Sequence, residues 1–381
     1  MQRHCMTAKK KNLNIAMIIG ISCSFLIPTG TSLFIHIEEN LQLGTDATVV
    51  SVALYECWGV NNRYIMEILN YTWAMENQLY RFNVTVIDDM DVKGEGNITL
   101  TRDNFDVFII GASARSYLID GLNCTWRSNV RDFVANGGGY LGICGGANAG
   151  SFGFEKPKNI FHRWVNQGVL GLADVHIIDN FLGEWQYLIK FGFDAFWNDD
   201  NDDNITPYYV SINTAVEKNQ GNAIFSGYGN NFIDITYAGG PGMYAAYGSD
   251  DKLGTIIPLL RYNEELMDSK PLHYWIPTLN GWRIVKQVTT NLEDRLAGVA
   301  TTYNSSGRVV LYGPHPEDRV VVNGYVKEYL GRSMINFVFP FETYVFNYYG
   351  TQLDRSCNWW IIRRSVAWAA QIPDVDLPPI Q

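Results

Sequence analysis

Cys144 stands in Gly142-Ile143-Cys144-Gly145-Gly146, a thiol with glycines on both sides. The apolar run Tyr140 to Ile143 predicts a short strand and Gly145 opens a helix, so Cys144 falls on the sharp turn between them. Such a turn strains the backbone of its central residue and leaves no room for side chains beside it. It presents the sulfur at the carboxyl edge of a sheet, facing the amino end of the next helix, whose partial positive charge favours a thiolate. Alone, Gly-x-Cys-x-Gly fits a buried structural cysteine better. The partner that tips the balance is Gly313-Pro314-His315-Pro316-Glu317, which places His315 at the end of the strand expected over Arg308 to Tyr312. Glu317, two residues on, reaches the far ring nitrogen and fixes the tautomer. Cys144, His315 and Glu317 then supply nucleophile, base and orienter, with the Gly145 N–H as an oxyanion donor. His162, His176 and His273 lie in no such context and read as structural or surface groups.

The elements that must position these residues follow from the hydrophobic pattern. Thr48 to Tyr55, Val84 to Ile87, Val107 to Ile110 and Tyr140 to Ile143 read as buried strands. Helical spacing covers Asn62 to Leu79, and a helix ends at Ala135 before Asn136-Gly137-Gly138-Gly139. Strands alternating with helices predict an α/β fold, a mostly parallel sheet with helices on both faces. Ligands bind beyond the carboxyl ends of such strands, where Cys144 and His315 meet. Val299 to Thr302 and Arg308 to Tyr312 flank Asn304-Ser305-Ser306-Gly307 and form a hairpin. Cys357 to Gln371 reads as a closing helix, and 373–381 as an extended Pro-rich tail. Residues 152–231 are less regular and read as an insertion within a domain spanning 46–372. They include the tract 198–204, which lacks the bidentate Glu of a calcium loop and reads as solvated. Gly137-x-Gly139-x-x-Gly142 has the letters of a dinucleotide fingerprint but precedes a strand instead of following one. No metal and no cofactor is expected.

The stretch from Gly137 to Gly146, followed much later by Gly313-Pro314-His315-Pro316-Glu317, resembles the class I glutamine amidotransferase-like superfamily. Within it, Ile235-Thr236-Tyr237-Ala238-Gly239-Gly240-Pro241 and Val309 to Tyr312 look most like the domain at the amino end of some biotin–protein ligases. The resemblance spans roughly residues 47–340. It implies a flavodoxin-like sheet with a nucleophile elbow, Cys144 as nucleophile, His315 as base and Glu317 as third member. It further implies substrate contacts at Tyr237, Gly239 and Gly240. Family members carry glycines after the third strand for a second oxyanion donor; here the loop is Gly111-Ala112-Ser113, and the role falls to Ala112. No synthetase domain that would accept ammonia and no biotin-ligase catalytic domain is visible.

Composition bounds the setting. Of 381 residues 47% are hydrophobic, which excludes a largely disordered chain. A net charge of −10 speaks against nucleic acid as a partner. Residues 1–12 are basic and precede an apolar stretch over 13–37, which predicts a membrane anchor or signal with the main domain outside the cytoplasm, secreted if the segment is cleaved. The sequons at Asn70, Asn83, Asn97, Asn123, Asn204 and Asn304 agree with export and glycosylation. No Cys-x-x-Cys pair occurs, and a disulfide between Cys57 and Cys124 is expected on the cleft side. Two functions follow: a membrane-anchored cysteine hydrolase of the amidase type, or a catalytically silent module on the same fold. Either would take a small molecule, a peptide or a glycan.

Overall fold

The computed structural model describes residues 47–178 and 210–380, apart from residues 59, 61, 77, 220, 249, 270–272, 279–280, 287–289 and 332–342. The expected segments 1–12 and 13–37, the tract 198–204 and Asn204 lie outside these residues. Among the described residues, no helix is long and apolar enough to cross a membrane.

The strands are β1 (Thr48–Tyr55), β2 (Thr72–Met75), β3 (Gln78–Ile87), β4 (Val107–Ile110), β5 (Gly139–Ile143), β6 (Val175–Ile177), β7 (Val210–Val216), β8 (Phe232–Tyr237), β9 (Met243–Ala245), β10 (Ile257–Tyr262), β11 (His273–Thr278), β12 (Gly281–Lys286), β13 (Leu296–Tyr303), β14 (Gly307–Tyr312), β15 (Val321–Gly331) and β16 (Thr343–Gln352). The helices are α1 (Arg63–Leu69), α2 (Asp89–Lys93), α3 (Arg115–Leu118), α4 (Cys124–Ala135), α5 (Gly145–Gly150), α6 (Ile160–Gly168), α7 (Leu266–Ser269) and α8 (Trp359–Ala369).

Five strands form a parallel block in the order β3-β1-β4-β5-β14. Counted along the chain this is 2-1-3-4-5, the flavodoxin-like order, so the expected α/β class is met. The sheet then continues antiparallel through β13, β10, β7 and β8, and β2 adds an antiparallel edge beside β3. Hence only the block around the site is parallel.

Alternation along β1 divides the core in two. Val50, Val52 and Leu54 face α1 and α8, where Ile65, Ile68, Trp360 and Ile361 pack. Ala53 and Tyr55 face the other layer, with Trp126, Val130 and Phe133 of α4. This second layer explains why β1, β4 and β5 read as continuous apolar runs: both faces are covered.

Three expectations need correction. The helix over Asn62 to Leu79 stops at Leu69, and Thr72–Met75 turns back as edge strand β2. Its β-branched and aromatic residues suit the pleated edge, where Trp73 stacks on Tyr80 at 5.1 Å between ring centroids. In the expected insertion, 152–178 and 210–231 contribute α6, β6 and β7, and β7 pairs with β8 and β10 inside the main sheet. The disulfide between Cys57 and Cys124 is not formed, because all four described cysteines are free. Cys57 follows β1 and lies against the Ser113 hydroxyl at 3.1 Å, whereas Cys124 opens α4 and is exposed.

The β13–β14 hairpin forms as expected. Asn304 and Ser305 have φ of 51° and 61°, two left-handed residues in succession, as a turn that matches the strand twist requires. This hairpin sets β14 beside β5 in parallel register, with Tyr312 opposite Ile143. The ends of these two neighbouring strands carry the candidate nucleophile and base.

Candidate active site

Cys144 caps α5 with φ 51° and ψ −104°, a conformation that costs a non-glycine residue roughly 1–3 kcal/mol. The surrounding structure enforces it. The Cys144 N–H donates to the Tyr312 carbonyl at 2.8 Å, so the turn is tied to the strand leading to His315. A Cβ on Gly145 would stand 2.2 Å from the Ser113 carbonyl oxygen, and one on Gly146 would stand 1.9 Å from that of Ile110. Neither position accepts a side chain, which is why two glycines follow the thiol. The Tyr140 hydroxyl donates to the Gly146 carbonyl at 2.7 Å and holds α5 over the end of β5.

His315 enters from the other strand. Its buried ring places Nδ1 2.9 Å from Glu317 Oε1, with the carboxylate also buried. That commits Nδ1 to Glu317 and leaves Nε2 for the thiol. Burial on its own lowers the ring's affinity for a proton; Glu317 and then Cys144, by charge and by hydrogen bonding, outweigh it and hold the imidazole well above its ordinary value. The three residues expected to act together therefore meet. Such a ring takes a proton from a thiol readily.

Two further residues contact His315 or its turn, and sequence reasoning missed both. Asp318 puts Oδ2 3.6 Å from the same His315 Nδ1. Thr236 accepts the His315 N–H at its carbonyl at 2.7 Å and donates its hydroxyl to the Arg319 carbonyl, also at 2.7 Å. The signal for Asp318 was a second acid directly after Glu317; that for Thr236 is a pairing across 79 positions (236 to 315), which no local pattern reveals.

The loop opposite the elbow differs from its expected role in one detail. Ala112 is half-buried there, but Ser113 is the residue whose backbone lies against Gly145, with its N 2.6 Å from the Gly145 Cβ position. Gly146 N–H donates to the Gly111 carbonyl at 3.2 Å and closes the loop onto the elbow. Tyr237 and Gly239–Gly240 run beside the base: Tyr237 is buried edge-to-face on Tyr262, and a Cβ on Gly240 would stand 1.8 Å from the Gly313 carbonyl oxygen. Their visible work is to seat the His315 turn.

Among the described residues, one group has the side chains to hold a metal ion: His315, Glu317 and Asp318. Of the two ring nitrogens, His315 Nδ1 is hydrogen-bonded to Glu317 at 2.9 Å. Of the expected glycosylation sites, Asn70, Asn83, Asn97, Asn123 and Asn304 are exposed. Asn123 also caps α4, its Oδ1 accepting from the N–H groups of Thr125 and Trp126.

No family model and no curated protein matches the chain. Similar solved structures include PurLQS from Thermotoga maritima, at 16% identity and TM-score 0.37 over 70% of this chain and 87% of that one. A ThuA-like protein from Bacteroides uniformis follows at 10% identity and TM-score 0.34, covering 70% and 83%. A glutamine amidotransferase from Thermotoga maritima has 10% identity and TM-score 0.33, covering 70% and 76%. At these scores the likeness carries no weight for activity, and the fold class rests on the strand order.

Proposed function

We propose that the chain is a cysteine hydrolase acting on an amide or related acyl bond. The observation that carries this reading is the strained Cys144 facing a buried His315 whose Nδ1 is held by Glu317 at 2.9 Å. Cys144 Sγ attacks the acyl carbon as its proton passes to His315 Nε2. The Gly145 N–H stabilises the developing oxyanion. His315 then returns the proton to the leaving amine, and water cleaves the thioester with the same ring as base. Anchoring by 13–37, placement outside the cytoplasm, glycosylation at the exposed sequons and kinship with the biotin–protein ligase amino-terminal domain belong to the same proposal. The basic flank, the apolar stretch and the motif residues support them.

A silent ligand- or glycan-binding module is the second reading. It is favoured by the loop Gly111-Ala112-Ser113, which lacks the glycines expected for a second oxyanion donor. One experiment separates the two. Iodoacetamide labelling of Cys144 is followed by peptide mapping in the full chain, with Cys124→Ser removing the exposed thiol. A hydrolase labels quickly at about pH 6 and loses at least about tenfold of that rate in His315→Ala. Equal, slow labelling of both proteins sinks the hydrolase and leaves the binding module.

A further inference from the structure

We infer that Asp318 is a positioning residue of this site, a buried carboxylic acid that works in its neutral form to fix Glu317 on the Nδ1 edge of His315. The inference rests on the hydrolase reading for the reaction it serves, and on geometry for everything else. His315, Pro316, Glu317 and Asp318 make one turn, closed by the Asp318 N–H on the His315 carbonyl at 3.2 Å. The turn folds both carboxyl groups onto a single ring edge, Glu317 Oε1 at 2.9 Å and Asp318 Oδ2 at 3.6 Å from Nδ1. That nitrogen has one proton to donate, and Glu317 takes it.

Two buried oxygens are then left over. Glu317 Oε2 and Asp318 Oδ2 have no hydrogen-bond donor among the described residues. One oxygen of each carboxyl group and a ring nitrogen lie within 4.8 Å of one another. Two buried carboxylates at that separation repel, and each unpaired acceptor adds a desolvation cost. A proton on Asp318 removes one of the two charges and turns an acceptor into a donor.

The charged groups around Asp318 are Glu317 and His315 on its own turn, Cys144 from the elbow, Arg319 next in the chain and Arg355 in the short turn before α8. Burial and then Glu317 push its carboxyl up to about 7, against the opposing pull of His315 and Arg355. Charge also balances with a neutral Asp318. Before proton transfer the set holds a thiol, a neutral ring and one carboxylate; afterwards it holds a thiolate, an imidazolium and the same carboxylate. An ionised Asp318 would add a second negative charge at Nδ1, hold the imidazolium harder and make His315 a poorer proton donor to a leaving group.

The test uses the full chain and two readouts. Infrared pH-difference spectra of wild type should contain the carbonyl stretch of a protonated carboxylic acid at about pH 6, fading across about pH 7 and missing from Asp318→Asn. Cys144 labelling at about pH 6 should stay within about twofold of wild type in Asp318→Asn, whose amide keeps a donor, and slow about tenfold in Asp318→Ala. A wild-type spectrum lacking that band, or an alanine variant that labels like the asparagine variant, overturns the inference. If His315→Ala labels like wild type, the hydrolase reading falls instead, and the infrared result still decides the state of Asp318.

Discussion

The backbone N–H of His315 donates to the carbonyl of Thr236 at 2.7 Å, which stitches the turn carrying the candidate base to the end of β8. The Thr236 hydroxyl reaches the Arg319 carbonyl on the far side of the same turn. The antiparallel half of the sheet thus clamps the residue that the parallel half presents.

Thr236→Val keeps the shape of the side chain and removes only its hydroxyl. The Arg319 carbonyl then loses a donor at a partly buried position, costing about 1–2 kcal/mol. Urea unfolding should report a lower midpoint with an unchanged slope. A midpoint equal to wild type would mean that this bond does not hold the turn.

Gly146→Ala tests the elbow. Its new Cβ would stand 1.9 Å from the backbone oxygen of Ile110, which no rotamer change relieves. A loss of about 3 kcal/mol or more, or failure to fold, is expected. Gly229→Ala is the control, since nothing lies within 4 Å of its Cβ position. Similar stability of the two variants, by thermal unfolding, would contradict the close approach of α5 to β4.

The elbow and the meeting of Cys144, His315 and Glu317 were legible because their sequence signals are local. Glycines around a thiol and a strand running straight into Pro-His-Pro-Glu leave their mark within ten residues. The parallel strands were legible for the same reason, as short apolar runs. Asp318 was not, because a carboxyl beside a histidine in sequence is ordinarily solvated, and only the turn buries it. Nor was β2, where seven residues of helix are followed by an edge strand inside one apolar pattern. Cys57 and Cys124 read as partners because each follows a strand end or begins the next connection on the cleft side, yet Cys57 faces Ser113 while Cys124 opens a helix at the surface.

Arg364 carries the third prediction. It lies in α8, whose sequence shows two arginines among core residues, and both are buried. Its guanidinium donates to the carbonyls of Ile224, Ala223 and Pro378, at 2.6, 2.8 and 2.7 Å. It therefore pins the tail and the segment after β7 onto the closing helix. Arg364→Met fills the volume but leaves the Ile224 and Pro378 carbonyls without a donor, while the Ala223 carbonyl keeps the Ser226 N–H, so a loss of about 2–4 kcal/mol is expected. Limited proteolysis should cut the tail near Pro378 earlier than in wild type. Unchanged cleavage would show that the tail is held by other contacts.

The fourth prediction concerns pH and stability. Burial first, and Glu317 second, raise the Asp318 carboxyl from 3.8 to about 7 in the folded protein. The folded state therefore binds this proton more tightly than the unfolded state does. A group raised in this way contributes stability that is fully present below about pH 4 and is lost as pH rises through about 7. His315, also raised, acts in the same direction, so wild type alone does not separate the two. Asp318→Asn removes one of these titrations and keeps a neutral group of the same shape. The stability of the variant minus that of wild type should grow from about pH 4 to about pH 7 by a few kcal/mol and then level off. Urea unfolding at several pH values across this window measures the difference directly. A difference independent of pH would mean that Asp318 is ionised throughout, with its charge met by His315 and Arg355.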